Sequence, residues 1–101
     1  MDMSAIPFNL EVYFDENLRE IPVSKAEMMK GIEFLKKQIP IFQNDKREVA
    51  KIYGLIGVYL RIVEELEESI KYLKLAIQAY ERTNNDNRLF VNKLRLAHTY
   101  Q

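Results

Sequence analysis

The chain has 101 residues, 48% of them apolar, with 15 basic residues balanced by 15 acidic ones. That is one domain's worth of chain with enough apolar content for a core, and its zero formal charge speaks against nucleic acid or an anionic membrane as partner. The absence of cysteine excludes disulfides and thiolate metal sites, and suits a cytoplasmic protein.

Residues 1–22 read as an N-terminal packing segment ahead of a helical domain over 23–101. The start, Met1 to Pro7, lacks a basic stretch followed by a long apolar run, so no signal peptide is expected. Phe8, Leu10, Val12 and Phe14 alternate with Asn9, Glu11 and Tyr13, which favours an irregular or extended conformation. A helical stripe of Leu10, Phe14, Leu18 and Ile21 is the alternative.

Four helices follow, at about 24–39, 46–63, 65–83 and 88–101. The first opens on Ser24 with Glu27 three residues later, a capping box, and meets Pro40 at its end. Its apolar face is Met28, Ile32, Leu35 and Ile39. The second opens on Asp45 with Glu48 and contains the longest apolar run, Ile52 to Leu60, closed by Arg61. A run of nine is far short of the ~20 residues of a membrane span. The third helix carries two adjoining apolar stripes. One is Leu66, Ile70, Leu73, Ile77 and Tyr80; the other is Ser69, Tyr72, Ala76 and Ala79. A helix at the edge of a bundle needs one stripe, whereas two suit a helix packed on two neighbours. The polar turn Asn84-Asn85-Asp86-Asn87 separates the last helix.

The sequence repeats. Residues 31–42 (GIEFLKKQIPIF) align without gaps on 69–80 (SIKYLKLAIQAY), and Ile56-Gly57 with Leu60 correspond to Leu96-Ala97 with Tyr100. Helix pairs repeating at offsets of 38 and 40 residues indicate an α-solenoid. The stretch VEELEESIKYLKLAI (63–77), preceded by Tyr53, Ile56, Gly57 and Leu60, resembles a tetratricopeptide repeat, with one good repeat at about 50–83 and partial repeats on each side. Glu64 stands where that family usually has a turn glycine, and Ser69 where it has alanine. The resemblance implies an all-α fold, a short solenoid of antiparallel helix pairs, with Gly57 and Ser69 small where two helices of one hairpin approach.

It also implies a non-catalytic scaffold that binds a protein or peptide in a groove. That groove would be lined by Lys51, Gly54, Val58, Arg61 and Ile62 from one helix, and by Val91, Leu94, His98 and Gln101 from the next. Such a mixed apolar and basic lining suits a peptide with hydrophobic anchors and some acidity. Cover by the N-terminal segment or by a second copy of the chain is the competing expectation for the same surface. Two repeats are few for a solenoid, so a truncated array, a cap formed by the N-terminal segment, or self-association as a homodimer is expected. A small self-associating structural protein and the regulatory part of a signalling-peptide receptor are the alternatives.

Catalysis is not expected. His98 is the sole histidine, with no nucleophile motif near it, so neither a triad nor a metal site forms around it. Glu64, Glu65, Glu67 and Glu68 cluster at the start of the third helix, where acidic groups complement the helix dipole and Glu67 can pair with Lys71. Gly54-Leu55-Ile56-Gly57 lacks the Lys-Ser/Thr of a phosphate loop. No cofactor or metal is called for.

Overall fold

The computed structural model describes residues 5–83, 93–97 and 99. The order is a two-stranded hairpin, β1 (Val12–Phe14) and β2 (Glu20–Pro22), then α1 (Lys25–Gln38), α2 (Lys46–Ile62) and α3 (Leu66–Thr83). Backbone at 93–97 and 99 is helical too. The chain is therefore mostly helical with a small sheet. The rest of the expected fourth helix, and the Asn84–Asn87 turn, lie outside the described residues.

The helices begin and end where the local chemistry directs. Ser24 Oγ accepts the Glu27 backbone N–H at 3.2 Å, and Asp45 Oδ1 accepts that of Glu48 at 3.3 Å. Each satisfies a donor that the first helical turn cannot. After Ile62 the chain closes with Glu64 N–H to the Arg61 carbonyl (3.0 Å) and Glu65 N–H to the Leu60 carbonyl (2.8 Å). This pair of bonds is a Schellman termination, which requires a left-handed residue between them. Glu64 supplies it at φ 68°, in the place where glycine fits without strain. A continuous rod over 46–83 would be about 57 Å long; the longest dimension of the molecule is 38 Å. α2 and α3 are a true helical hairpin.

α2 lies at the centre. One face joins α1 and the N-terminal segment in a core of Ile6, Met28, Ile32, Leu35, Ile52, Ile56 and Leu60. Phe8, Leu10 and Val12 pack against it from the N-terminal side. The opposite face closes on α3 through Ala50, Ala76 and Tyr80. Both expected stripes of α3 are engaged: Leu73, Ser69 and Ala76 are fully buried, and Ile70, Tyr72, Ile77 and Ala79 half-buried.

The hairpin is the departure from an all-α chain. Its register pairs Val12 with Pro22, Tyr13 with Ile21 and Phe14 with Glu20. The turn is organised by Asp15, whose Oδ1 accepts the N–H groups of Asn17 and Arg19, both at 2.9 Å. Leu18 takes the left-handed position at φ 59°. The alternation read in the sequence does mark extended backbone; what it does not reveal is that this backbone folds back and pairs.

Candidate functional site: the cleft beside Arg61

A close approach of Gly57 to Ser69 and Leu73 sets the geometry of the α2–α3 hairpin. Gly57 faces α3 without a side chain, and the Ser69 hydroxyl donates to the Gly57 carbonyl at 2.6 Å, fully buried. A Cβ on Gly57 would lie 2.6 Å from both Cγ and Cδ2 of Leu73 and 3.3 Å from its backbone nitrogen. The two helices therefore sit nearly backbone to backbone, with a polar bond bridging them. That closeness fixes where the α2 C-terminus and the α3 N-terminus emerge.

A cleft of about 720 Å³ opens at that end, between the hairpin tip and the helical turn. Its apolar surface comes from Leu18, Ile21, Ile62 and Leu66, and its charged surface from Arg19, Glu20, Arg61 and Glu64, with Thr99 at the side. The volume falls in the range of ligand-binding clefts. Two ion pairs bridge it. Arg61 Nη2 donates to Glu20 Oε1 at 2.8 Å, with only 25% and 30% of the two side chains exposed. Arg19 Nη2 meets Glu64 Oε1 at 3.1 Å with both side chains largely in solvent. The first pair is partly desolvated and ties β2 to α2; the second is a surface pair of small worth. The Arg61 Nε is buried and makes no hydrogen bond.

Of the sequence-predicted groove, the structure brings Arg61 and Ile62 into this cleft. Ile62 is 7% exposed and offers little more than an apolar floor. Lys51 is half-buried and engaged by a partner, Gly54 is buried, and Val58 packs against the core around α1. Leu94 is exposed and does not line the cleft. Val91, His98 and Gln101 lie outside the described residues. Arg61 is thus no free cation awaiting an acidic ligand, because Glu20 holds it. At this end of α2 the N-terminal segment lies against the helix through β2 and the Glu20–Arg61 pair.

Leu18, Arg19, Glu20 and Ile21 were not legible as site residues, because their place depends on the hairpin. The signal was Asp15-Glu16-Asn17 between two apolar runs, but no glycine marks the turn. The acidic cluster divides its work: Glu64 pairs with Arg19, and Glu68 with Lys36 at 3.4 Å. The expected Glu67–Lys71 pair is not among the ion pairs of the described residues; Lys71 Nζ lies 5.7 Å from the Tyr72 ring centre instead. Lys36 Nζ lies at the same distance from that ring. Burial lowers the Lys36 pKa, but Glu33 and Glu68 outweigh it, and the net shift is upward. Burial raises the Tyr59 pKa, with Arg95 opposing it; Thr99, just past the helical stretch at 93–97, lines the cleft with Arg61 and Ile62 of α2.

Among the described residues, no group of three or more histidine or carboxylate side chains could hold a metal ion, and no helix is long and apolar enough to cross a membrane. No known protein family, curated protein or solved structure matches the chain.

Proposed function

We propose that this chain is a non-catalytic, tetratricopeptide-like scaffold that binds a protein or peptide, and that the cleft beside Arg61 takes part in the binding. The observation that carries this reading is the Gly57–Ser69 apposition, with both stripes of α3 buried or half-buried beyond the exposed Leu66. A helix pair that tight, with α1 against one side of α2 and further helical chain beside it, is the stacking a helical-repeat scaffold needs. The 38-residue correspondence of 31–42 with 69–80 supports the same reading.

Ligand chemistry follows from the cleft. Its cations and carboxylates neutralise one another, so selection rests on Leu18, Leu66 and Ile21 rather than on net charge. The ligand is accordingly a short segment with apolar anchors, and the acidity expected from the sequence falls away. Selection of displayed peptides on the folded chain, followed by amide shift mapping, tests this. Selected peptides should share bulky apolar residues, shift the amides of Leu18, Glu64 and Leu66, and lose affinity about tenfold with Leu66→Glu, as for an apolar anchor removed from an interface. Peptides selected for acidity alone, or shifts confined to other surfaces, would reject the assignment.

A further inference from the structure

The outer edge of β1 is an open strand template, and we infer that it accepts an extended segment of a partner protein that alternates apolar and basic residues. The hydrogen-bond phase of the hairpin identifies the edge. Val23 N–H donates to the Glu11 carbonyl at 2.9 Å and Asp15 N–H to the Arg19 carbonyl at 3.1 Å. By the two-residue period of an antiparallel ladder, Tyr13 and Ile21 also exchange bonds, so Val12 and Phe14 point their N–H and C=O groups away from β2. Among the described residues nothing bonds to those groups. β2 differs: it lies against α2, and its own edge carries Pro22, which has no N–H. β1 has no proline or lysine to block addition, the usual protections of an exposed edge. Tyr13 and Phe14 are 53% and 63% exposed, so a strand can reach the edge.

The two faces of β1 specify the occupant. Val12 and Phe14 project on one face and Tyr13 on the other; Glu11 and Asp15 flank the strand in the phase of Tyr13, the Asp15 carboxylate also accepting the turn amides of Asn17 and Arg19. An added strand places its alternate residues beside each set. Apolar side chains fit the Val12–Phe14 face, and basic ones the Glu11–Asp15 face. A second copy of β1 is a poor occupant. In the antiparallel register that pairs all three strand residues, Tyr13 faces its counterpart and Glu11 faces Asp15 at both ends, like charge against like.

The test uses the full chain and a blocked seven-residue peptide alternating valine and lysine, with a valine–glutamate peptide as control. Amide hydrogen exchange is the readout. The lysine peptide should slow exchange at Val12 and Phe14 at least about tenfold near saturation, while Tyr13 and Asp15, already bonded, change little. The glutamate peptide should not. Glu11→Lys should weaken the lysine peptide about fivefold, and Phe14→Pro, which removes an outward N–H from an edge position that tolerates proline, should abolish protection. If Phe14→Pro does not fold, Glu11→Lys carries the test. Equal binding of the glutamate peptide, or binding that leaves Val12 and Phe14 exchange unchanged, overturns the inference. Protection of the same amides without peptide, rising with protein concentration, also overturns it, since the occupant is then a second copy.

Discussion

At Gly31 the intruding neighbour is the far end of the Leu10 side chain; at Gly57 it is the branch point of Leu73, with α3 backbone directly behind. Gly31 aligns with Ser69 in the internal repeat, so the two close approaches involve related places on α1 and α3. α1 meets an extended segment there, whereas α3 meets another helix. An extended segment can swing one leucine aside. Two helices joined by a 2.6 Å hydroxyl-to-carbonyl hydrogen bond can yield only by moving as rigid bodies, because interiors are close-packed and respond to a single added methylene. The same sequence pattern, a small residue on a buried helix face, thus has a stiff version and a soft one.

The largest expected effect comes from forcing the stiff contact. Gly57→Leu should lower stability by about 1–3 kcal/mol through overpacking, read as a fall in Tm. Gly31→Ala sharpens the comparison. It should stay within about 0.5 kcal/mol of the parent, because Leu10 can rotate and alanine gains helix propensity. Equal losses at Gly57→Ala and Gly31→Ala would mean that the N-terminal segment is as rigid as a helix.

Next in size is the tie between hairpin and helix. Arg61→Ala should cost about 1–2 kcal/mol, since it strips Glu20 of a partly buried charged partner. Arg19→Ala, at the solvent-exposed pair, should cost no more than about 0.5 kcal/mol. Chemical denaturation of both variants checks the order. A smaller loss, about 0.5–1 kcal/mol, is expected for Ser69→Ala, which removes the hydroxyl but leaves the Gly57 carbonyl its helical position.

One substitution should stabilise. Glu64→Gly relieves a left-handed non-glycine residue at the α2 termination and gives up only the exposed pair with Arg19, for a net gain of about 0.5–1 kcal/mol. A loss instead would show that the Arg19–Glu64 bridge holds the hairpin tip.

The smallest effect is alkaline. Burial raises the Tyr59 pKa above its ordinary 10.0, and Glu33 and Glu68 outweigh burial to raise that of Lys36 above 10.5. Both folded values exceed the unfolded ones, so their stabilisation is whole below about pH 10 and is lost as pH rises through the folded values. Tyr59→Phe should flatten its share of the decline in a pH series of denaturation midpoints.

Much of the helical architecture was legible. Ser24 and Asp45 announce helix starts because their side chains can serve only local backbone donors, and Pro40 ends α1 for an equally local reason. The periodic apolar faces of α2 and α3 name their buried residues down to Leu73, Ala76 and Tyr80. Gly57 and Ser69 were readable as a close approach from small residues at matching places. The strands were not: β1 and β2 are three residues each, and Leu18 stands where a glycine would have flagged the turn. The candidate site was half legible, since Arg61 and Ile62 project from a helix whose phase the sequence sets, while their neighbours arrive from the hairpin.

By itself, then, the sequence determined the capped helices, their buried faces and the tight α2–α3 hairpin, because each follows from interactions within a few residues or from a strict period. Only the tertiary structure decided that the N-terminal segment folds back as a hairpin, that Glu20 claims Arg61, and that the edge of β1 stays open among the described residues. The hairpin's strands are too short to mark themselves, and the Glu20–Arg61 contact joins residues 41 positions apart, which leaves no local mark in the chain.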